Sequence, residues 1–217
     1  MLRIEAALSR CVNEVDDPTP LCIHMRQEKS DKGFGISGNH NYTLLYHELF
    51  GGIANRVANM LEVGIGTNFT DVPSSMGPNG TPGASLRAWR HYFPKAKIFG
   101  ADVDTRILFT EDRISTFYID QLNAEVIKEQ TLQFPDNMFN IIIDDGLHTF
   151  EANSNLHRQA SRLVSPGGFY IIEDINTALP NIRNFIRYLV ETDLRAALIS
   201  LPHISNKSDN CIALISY

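Results

Sequence analysis

Two short acidic segments carry the residues best suited to bind a cation and to move a proton. Asp144, Asp145 and His148 follow one apolar run. Glu173 and Asp174 follow the next apolar run along the chain. Carboxylates that lie close together repel one another, so a divalent cation between them would be stabilising, and oxygen ligands favour Mg²⁺, Ca²⁺ or Mn²⁺ over zinc. The histidine, with an ordinary pKa of about 6.5, could accept a proton at neutral pH.

The same residues also have a purely structural interpretation. Asp144 and Asp145 could cap the following helix. His148 could be an exposed helix residue, and the second acidic pair could be solvated. Their shared position favours function, because the ends of neighbouring parallel strands lie about 4.8 Å apart. We therefore expect the two acidic segments to converge at one edge of a sheet.

A glycine motif ends the first predicted strand. Gly64 and Gly66, which follow Glu62, let the backbone turn sharply and approach a ligand. The next strand ends in Asp102, whose carboxylate could accept hydrogen bonds from two ribose hydroxyls. Residues 71–83 between them are rich in proline, glycine and asparagine, so we expect a loop that acts as a lid or a specificity element.

Two other features receive little weight as functional sites. A formal GxGxxG motif at residues 33–38 follows a polar segment that cannot be a buried strand, so we expect a mobile loop there. The remaining histidines have no comparable acidic setting: His24, His40, His47, His91, His157 and His203. We expect His91 and His157 to be solvated on helix surfaces, and the single tryptophan, Trp89, to lie in the core.

Short apolar runs separated by helix-length segments supply the strands that position these residues. They are residues 60–63, 97–101, 115–119, 139–143 and 169–172. Such runs are typical of strands buried on both faces, and their alternation with helices predicts right-handed βαβ units. Two further runs near the C-terminus are joined by a loop too short for a helix and should pair antiparallel. The expected fold class is α/β: a Rossmann-like, doubly wound, mostly parallel seven-stranded sheet with a C-terminal antiparallel hairpin.

The N-terminal part has a different pattern. The first forty residues are mixed and polar, and the DPTP stretch at 17–20 is expected to break any regular element. Helical spacing of apolar residues begins at Tyr42. We expect residues 1–41 to form an N-terminal extension that covers the strand ends, and residues 42–217 to form one domain.

Composition limits the classes of partner. A chain of 217 residues predicts one full domain, and its net charge of −6 argues against a sequence-independent nucleic-acid binder. Its 3 cysteines lack CxxC spacing, which indicates a reducing compartment. No signal-peptide pattern or apolar run of about 20 residues is visible. We expect a cytoplasmic protein that binds neither nucleic acid nor a membrane, and we leave a homo-oligomeric state open.

Several motifs together resemble a known family. LEVGIG at 61–66, GAD at 100–102 and the terminal hairpin resemble class I S-adenosylmethionine-dependent methyltransferases. GASLRAW at 83–89, IDDGLH at 143–148 and IIEDI at 171–175 resemble, more narrowly, the metal-dependent sugar O-methyltransferases of macrolide and polyketide antibiotic biosynthesis. The last two blocks are also found in cephalosporin-hydroxylase-like proteins. The segments SDK at 30–32 and HNY at 40–42, with Tyr46, echo the N-terminal region of the sugar enzymes.

The resemblance implies a binding set for S-adenosylmethionine. The set consists of Glu62, Gly64, Gly66, Ser85, Asp102, Asp120, Gln121 and Asp144. The two glycines would pack against the amino-acid part of the cofactor, and Glu62 would support their loop. Asp102 would bind the ribose. Asp120 and Gln121 would lie at the adenine end, and Asp144 would hold the methionine amino group.

The resemblance also implies the catalytic residues. Asp145, Glu173 and Asp174 would be the ligands of Mg²⁺, and His148 would be the general base, with Asp145 beside it. The expected reaction is transfer of a methyl group from S-adenosylmethionine to a hydroxyl of a sugar or another natural-product small molecule. Two departures from the longer sugar enzymes concern the acceptor: we expect the large N-terminal domain to be missing, and the loop 71–82 is unusually long.

Three other functions stay open at this point. An NAD(P)-dependent oxidoreductase could use Asp102, although the third glycine is missing and the antiparallel hairpin argues against it. A catalytically silent methyltransferase-like module could bind a partner. A methyltransferase could also work without a metal, with His148 alone as the base. The acceptor could be a free sugar, a glycosylated natural product, a small phenol or a peptide, since fold does not fix the substrate.

Overall fold

The computed structural model describes residues 2–12, 18–33, 40–192, 195–203 and 205–217. The helices of this part are α1 (Leu2–Val12), α2 (Pro20–Gln27), α3 (Tyr42–Phe50), α4 (Ala84–Tyr92), α5 (Ala124–Thr131), α6 (Phe150–Ala160) and α7 (Leu179–Glu191). The strands are β1 (Asn59–Val63), β2 (Lys97–Asp102), β3 (Thr110–Glu111), β4 (Ile114–Tyr118), β5 (Phe139–Asp144), β6 (Val164–Ile172), β7 (Arg195–Ser200) and β8 (Cys211–Ser216).

The strands form one mixed sheet in the order β3-β4-β2-β1-β5-β6-β8-β7. The five central strands, β4, β2, β1, β5 and β6, are parallel to one another. The C-terminal strand β8 is antiparallel to both β6 and β7. The predicted fold class is therefore confirmed, hairpin included, and the two-residue strand β3 is an addition at one edge.

Both faces of the sheet are buried, as the continuous apolar runs predict. On β1, Met60 packs into a core formed with α3 and α4, whereas the adjacent Leu61 packs into the core of the opposite face with α6 and α7. Trp89 is fully buried in the first core, as expected. Because period-two alternation sends neighbouring side chains to opposite faces, one short strand joins both cores.

The N-terminal residues are more regular than their composition predicts. Helix α1 contacts α3, and α2 contacts both α3 and α4. Pro20 does not break structure there: it is the first residue of α2, and the Thr19 side chain caps the helix by accepting from the Cys22 amide at 3.1 Å. Proline suits this position because the first helical amide has no partner inside the helix. Pro18 and Thr19 lie outside any regular element, as predicted, whereas Pro20 is in a helix, contrary to the prediction; Asp17 lies outside the described residues.

None of the described helices is both long enough and apolar enough to cross a bilayer.

Candidate functional site

The loops after β1 and β5 pack directly on each other at the carboxyl edge of the sheet. Gly64 has a φ of +88°, and a Cβ added to it would lie 2.0 Å from the carbonyl oxygen of Asp145. The Asp145 amide donates to the carbonyl oxygen of Val63 at 2.8 Å. Gly66 also has a positive φ, +79°, and faces the side chain of Met76. Glycine is needed at Gly64 both for its backbone conformation and for the close approach.

Asp102 fastens the loop after β1 to the loop after β2. Its carboxylate accepts hydrogen bonds from the Ile65 and Asp104 amides, both at 2.9 Å. Burial raises the pKa of Asp102, and these backbone hydrogen bonds oppose the rise. Asp102 also lines both of the cavities found at this edge. Its carboxylate therefore organises the loops and borders the space in which a ligand would lie.

The first cavity, of about 150 Å³, is mostly apolar. Its lining includes Val72, Pro73, Val103, Ile119 and Leu122, together with Asp120 and Gln121. An apolar cavity with a few polar groups in its lining is suited to an aromatic base. The residues expected at the adenine end thus lie together at one cavity.

The second cavity, of about 80 Å³, has a more polar lining than the first and adjoins the acidic segments. Its lining includes Lys32, Gly66, Ser85, Asp145, His148 and Asp174. Gly64 borders both cavities. The predicted loop at residues 71–82 is present and contributes residues to the lining of both cavities.

Asp144 faces protein groups. It is fully buried, accepts from Gln121 Nε2 at 2.7 Å and from Asn153 Nδ2 at 3.0 Å, and lines neither cavity. Burial raises the pKa of Asp144 to about 6. The Oε1 atom of Gln121 accepts in turn from the Leu147 amide at 2.8 Å. Asp144 and Gln121 therefore hold the loop that carries Asp145 and His148.

Glu62 is likewise a buried connector. Its two carboxylate oxygens accept from Ser85 Oγ and from Trp89 Nε1, each at 2.6 Å. Burial raises the pKa of Glu62, while the ammonium of Lys32, 3.7 Å away, opposes the rise. Ser85 is therefore placed at the second cavity by its bond to Glu62.

Asp145, His148 and Asp174 converge at the second cavity. His148 Nε2 lies 3.3 Å from Asp145 Oδ1 and 3.8 Å from Asp174 Oδ2. One ligand atom from each of the three residues lies within 4.8 Å of the others, which makes them a candidate metal group among the described residues. His148 and Asp174 both have positive φ, 57° and 53°, a conformation that costs energy in residues other than glycine. The predicted convergence of the two acidic segments is present.

The charges of this group shift its titration. Burial would lower the pKa of His148, but the hydrogen bond and charge of Asp145, with the charge of Asp174, raise it to about 9. Burial would raise the pKa of Asp145, but Lys32 and His148 together hold it below its usual range. The neighbouring acidic groups therefore favour the charged forms of His148 and Lys32, whose pKa values are both raised.

The hydrogen-bond partners of Glu173 are protein side chains, whereas the resemblance implies that it is a metal ligand. It is fully buried; Oε2 accepts from Lys32 Nζ and Oε1 accepts from the Tyr46 hydroxyl. The same Nζ also donates to Asp145 Oδ2. Burial raises the pKa of Glu173, and Lys32 opposes the rise. The carboxylate of Glu173 is thus joined to Asp145 through Lys32, and His148 completes the group with Asp145 and Asp174.

Four residues at this site are not among those predicted from the sequence. Lys32 is one of them, and Tyr46 is a second. The Tyr42 hydroxyl donates to Asp174 Oδ1 at 2.6 Å, and His40 Nδ1 lies 3.4 Å from the same oxygen. The expectation that His40 has no acidic setting is therefore wrong. The sequence feature that could have indicated them is the resemblance of residues 30–32, 40–42 and 46 to the N-terminal region of the sugar enzymes. That resemblance by itself implies no role for these residues.

The structure also bears on the predicted exposure of His157 and His91 and on the GxGxxG motif. His157 is buried, with 4% of its surface exposed, and its ring nitrogens lie 2.8 Å from the hydroxyls of Tyr188 and Tyr217. It is therefore not solvated, because the helix face that carries it packs on α7 and the C-terminus. His91 is exposed, as expected. Residues 34–38 of the GxGxxG motif lie outside the described residues.

Comparison with known proteins returns sugar O-methyltransferases. No family model matches the chain. A tetracenomycin-C rhamnosyl 3'-O-methyltransferase of Streptomyces olivaceus is 34% identical over 139 residues, which are 64% of this chain and 33% of that protein. Mycinamicin VI 2''-O-methyltransferase of Micromonospora griseorubida is 32% identical over 177 residues, 80% of this chain and 40% of that protein. The aligned part of this chain therefore spans between a third and two fifths of these relatives.

A solved structure supports the same fold. The MycE methyltransferase of the mycinamycin pathway, in complex with Mg, SAH and mycinamycin VI, superposes with a TM-score of 0.68 at 24% identity, covering 91% of this chain and 54% of that one. The chain has the class I methyltransferase fold, and the resemblance to the macrolide and polyketide sugar O-methyltransferases is confirmed at about 30% identity. The oxidoreductase alternative is not favoured.

Proposed function

We propose that this chain is an S-adenosylmethionine-dependent O-methyltransferase that acts on a hydroxyl of a sugar or of another natural-product small molecule. The observation that carries the proposal is the position of Asp145, His148 and Asp174, which meet at the carboxyl edge of a methyltransferase sheet beside a cavity bordered by Gly64 and Asp102. The curated relatives are named for rhamnosyl, olivosyl and macrolide acceptors, which supports a sugar hydroxyl.

The lining of the two cavities is suited to the cofactor. Asp102 would accept from the ribose hydroxyls, and Asp120 would lie beside the adenine in the first cavity. Gly64 and Gly66 would border the amino-acid part. S-adenosylmethionine supplies the methyl group when bound. Glu62, Ser85, Gln121 and Asp144 are included in the proposed binding set; of these, Glu62 and Asp144 act through the loops that they hold.

The acidic group is suited to a hard divalent cation such as Mg²⁺. Asp145 and Asp174 offer carboxylate oxygens within 4.8 Å of each other, with His148 beside them. Such an ion would lower the pKa of a bound hydroxyl. Glu173 stays in the proposed ligand set, although its present partners are Lys32 and Tyr46.

His148 is the proposed base that takes the proton of the acceptor hydroxyl at Nε2. With Asp145 and Asp174 both ionised, its pKa of about 9 keeps the ring protonated at neutral pH. The charge of these carboxylates must therefore be compensated before Nε2 can accept a proton. The residues around it then contribute alignment of donor and acceptor and exclusion of water.

The test is methyl transfer from radiolabelled S-adenosylmethionine to a panel of glycosides with free hydroxyls. His148→Ala should lower turnover by about a hundredfold or more and leave affinity for S-adenosylhomocysteine unchanged. His91→Ala, which removes an exposed histidine from α4, is the matched control and should keep full turnover. Binding of NAD⁺ without binding of S-adenosylhomocysteine would refute the proposal. Full turnover in the His148 variant would show that His148 is not the general base.

The proposal extends to the domain organisation and the location of the protein. Residues 1–41 would be a cover over the strand ends and residues 42–217 the catalytic domain, located in the cytoplasm and acting on a diffusible acceptor. Support for the cover comes from Ser30, Asp31 and Lys32, which line the second cavity. Deletion of residues 1–28 removes Leu21, Cys22 and Met25 from the core that contains Trp89, so it should lower the thermal unfolding temperature of the remaining chain, as measured by circular dichroism.

A further inference from the structure

Lys32 is a buried ammonium at the centre of the acidic site. Only 3% of its surface is exposed, and Nζ donates to both Asp145 Oδ2 and Glu173 Oε2. Glu62 Oε1 lies 3.7 Å from the same nitrogen. An ammonium is removed from water at this depth only when carboxylates replace its hydration, and these carboxylates do so. Lys32 therefore supplies positive charge to this group of carboxylates.

The backbone fixes Lys32 in this place. The Thr43 amide donates to the Lys32 carbonyl oxygen at 3.4 Å, and the His40 amide donates to the Asp31 carbonyl oxygen at 3.2 Å. These bonds attach the segment after α2 to the beginning of α3. Ser30, next to Asp31, lines the second cavity with Lys32. The segment is thus both the holder of the ammonium and a wall of the cavity.

A divalent cation and this ammonium would require the same oxygens. A Mg²⁺ ion lies about 2.1 Å from each ligand oxygen, inside the space that Nζ fills between Asp145 and Glu173. Two cations in contact would also repel each other strongly in a site that excludes water. The two arrangements therefore exclude each other at these carboxylates.

We propose that Lys32 is the resident cation of the metal-free site and that a divalent cation displaces it from Asp145 and Glu173. The inference rests on the proposed function only in its choice of Asp145, Glu173 and Asp174 as metal ligands. Displacement of the Lys32 side chain changes the lining of the second cavity, while the backbone hydrogen bonds from Thr43 and His40 keep residues 31 and 32 in place. Lys32 is accordingly a residue that sets the affinity and the ligand set of the metal site.

The first experiment measures binding of Mn²⁺ alone, without methyl donor or acceptor, by calorimetry. Lys32→Met removes the competing charge while keeping an unbranched side chain, and it should bind Mn²⁺ at least about tenfold more tightly than the wild type. Lys29→Met, which removes an exposed lysine three residues earlier, is the matched control and should bind as the wild type does. Equal or weaker binding by the Lys32 variant, or no binding by either protein, would overturn the inference.

A second experiment uses the wild-type protein and does not depend on the folding of a variant. Acylation of lysine amines, read by mass spectrometry, should spare Lys32 without metal and modify it at saturating Mn²⁺, while Lys29 is modified in both states. Continued protection of Lys32 at saturating Mn²⁺ would contradict displacement. Because both experiments omit the methyl donor, failure of every acceptor to be methylated would refute the proposed function and leave this inference standing.

Discussion

Gly64 packs against the backbone of Asp145, whose carbonyl oxygen would lie 2.0 Å from a Cβ on residue 64. This contact joins the loop proposed to hold the cofactor to the loop that carries Asp145 and His148. A hydrogen bond from the Asp145 amide to the Val63 carbonyl oxygen, at 2.8 Å, reinforces it. A change in either loop is therefore transmitted to the other through rigid backbone atoms.

The first prediction compares alanine at the two glycines. Gly64→Ala should lower the free energy of unfolding by at least about 3 kcal/mol, because it combines a positive φ with a backbone clash. Gly66→Ala should cost about 1–2 kcal/mol, since it meets only the end of the flexible Met76 side chain and retains the φ penalty. Urea denaturation measures both. Equal losses would show that the loop after β5 moves aside.

The loops could be anticipated from the sequence because the strands that precede them are strong signals. Each buried run is mostly apolar and is followed by a glycine or a carboxylate, so the parallel order brings Asp102, Asp145 and Asp174 to one edge. Two-sided burial follows from the absence of alternation, and the hairpin follows from the short connection before β8. These inferences need only local pattern and the geometry of parallel strands.

The partners of those carboxylates could not be anticipated. Lys32 is separated from Asp145 by 113 residues and from Glu173 by 141, and the turn that carries it has no periodic signal. Because many of its neighbours are polar, the sequence of residues 1–41 does not indicate helices. In the structure α1 and α2 nevertheless bury one apolar face each. His157 was expected to be solvated because a single sequence does not show how far α7 and the C-terminus cover its helix.

The second prediction concerns stability at low pH. Burial lowers the pKa of His157 to about 4 from an ordinary value of 6.5. The neutral ring therefore contributes its full stabilisation above pH 6.5. This contribution is lost as the pH falls toward 4, because His157 binds a proton more tightly in the unfolded chain than in the folded one. His157→Gln removes this dependence. The stability difference between wild type and variant should shrink by about 3 kcal/mol between pH 7.5 and pH 4.

Urea denaturation at several pH values measures that difference. His91→Gln, at an exposed position of α4, serves as the control: it removes a surface pair with Glu28 at 3.3 Å, so its stability should differ from that of the wild type by less than about 1 kcal/mol at every pH. A constant gap between wild type and His157→Gln across the range would mean that the ring takes up its proton without leaving Tyr188 and Tyr217.

The third prediction concerns the loop over the cavities. Arg106 stacks on Phe69, 3.9 Å from the ring centre, and pairs with Asp104 at 2.7 Å and with Asp71 at 3.0 Å. Arg106→Ala releases all three contacts and should weaken S-adenosylhomocysteine binding roughly fivefold. Asp71→Asn removes only an exposed ion pair and should change the affinity less than about twofold. At high salt, which screens this pair, the affinities of the variant and the wild type should be the same. Calorimetry distinguishes the two; equal effects would refute a role for Phe69 stacking.

The fourth prediction separates charge from backbone conformation at Asp174. Its φ of 53° is unfavourable for alanine but tolerated by asparagine, and its carboxylate accepts from the Tyr42 hydroxyl at 2.6 Å. Asp174→Asn should therefore stay within about 1 kcal/mol of wild-type stability, whereas Asp174→Ala should lose about 2 kcal/mol through strain and an unpaired hydroxyl. Thermal and urea unfolding without metal measure this contrast.

The same asparagine variant then tests the charge. Because it keeps the fold and the bond to Tyr42 but removes one negative oxygen from the group with Asp145 and His148, its affinity for Mn²⁺ should fall by about tenfold or more. Combining it with Lys32→Met should restore part of that affinity, since the second change removes the competing ammonium. An Asp174→Asn protein that binds Mn²⁺ as tightly as the wild type would show that the ion is held by Asp145 and Glu173 without it.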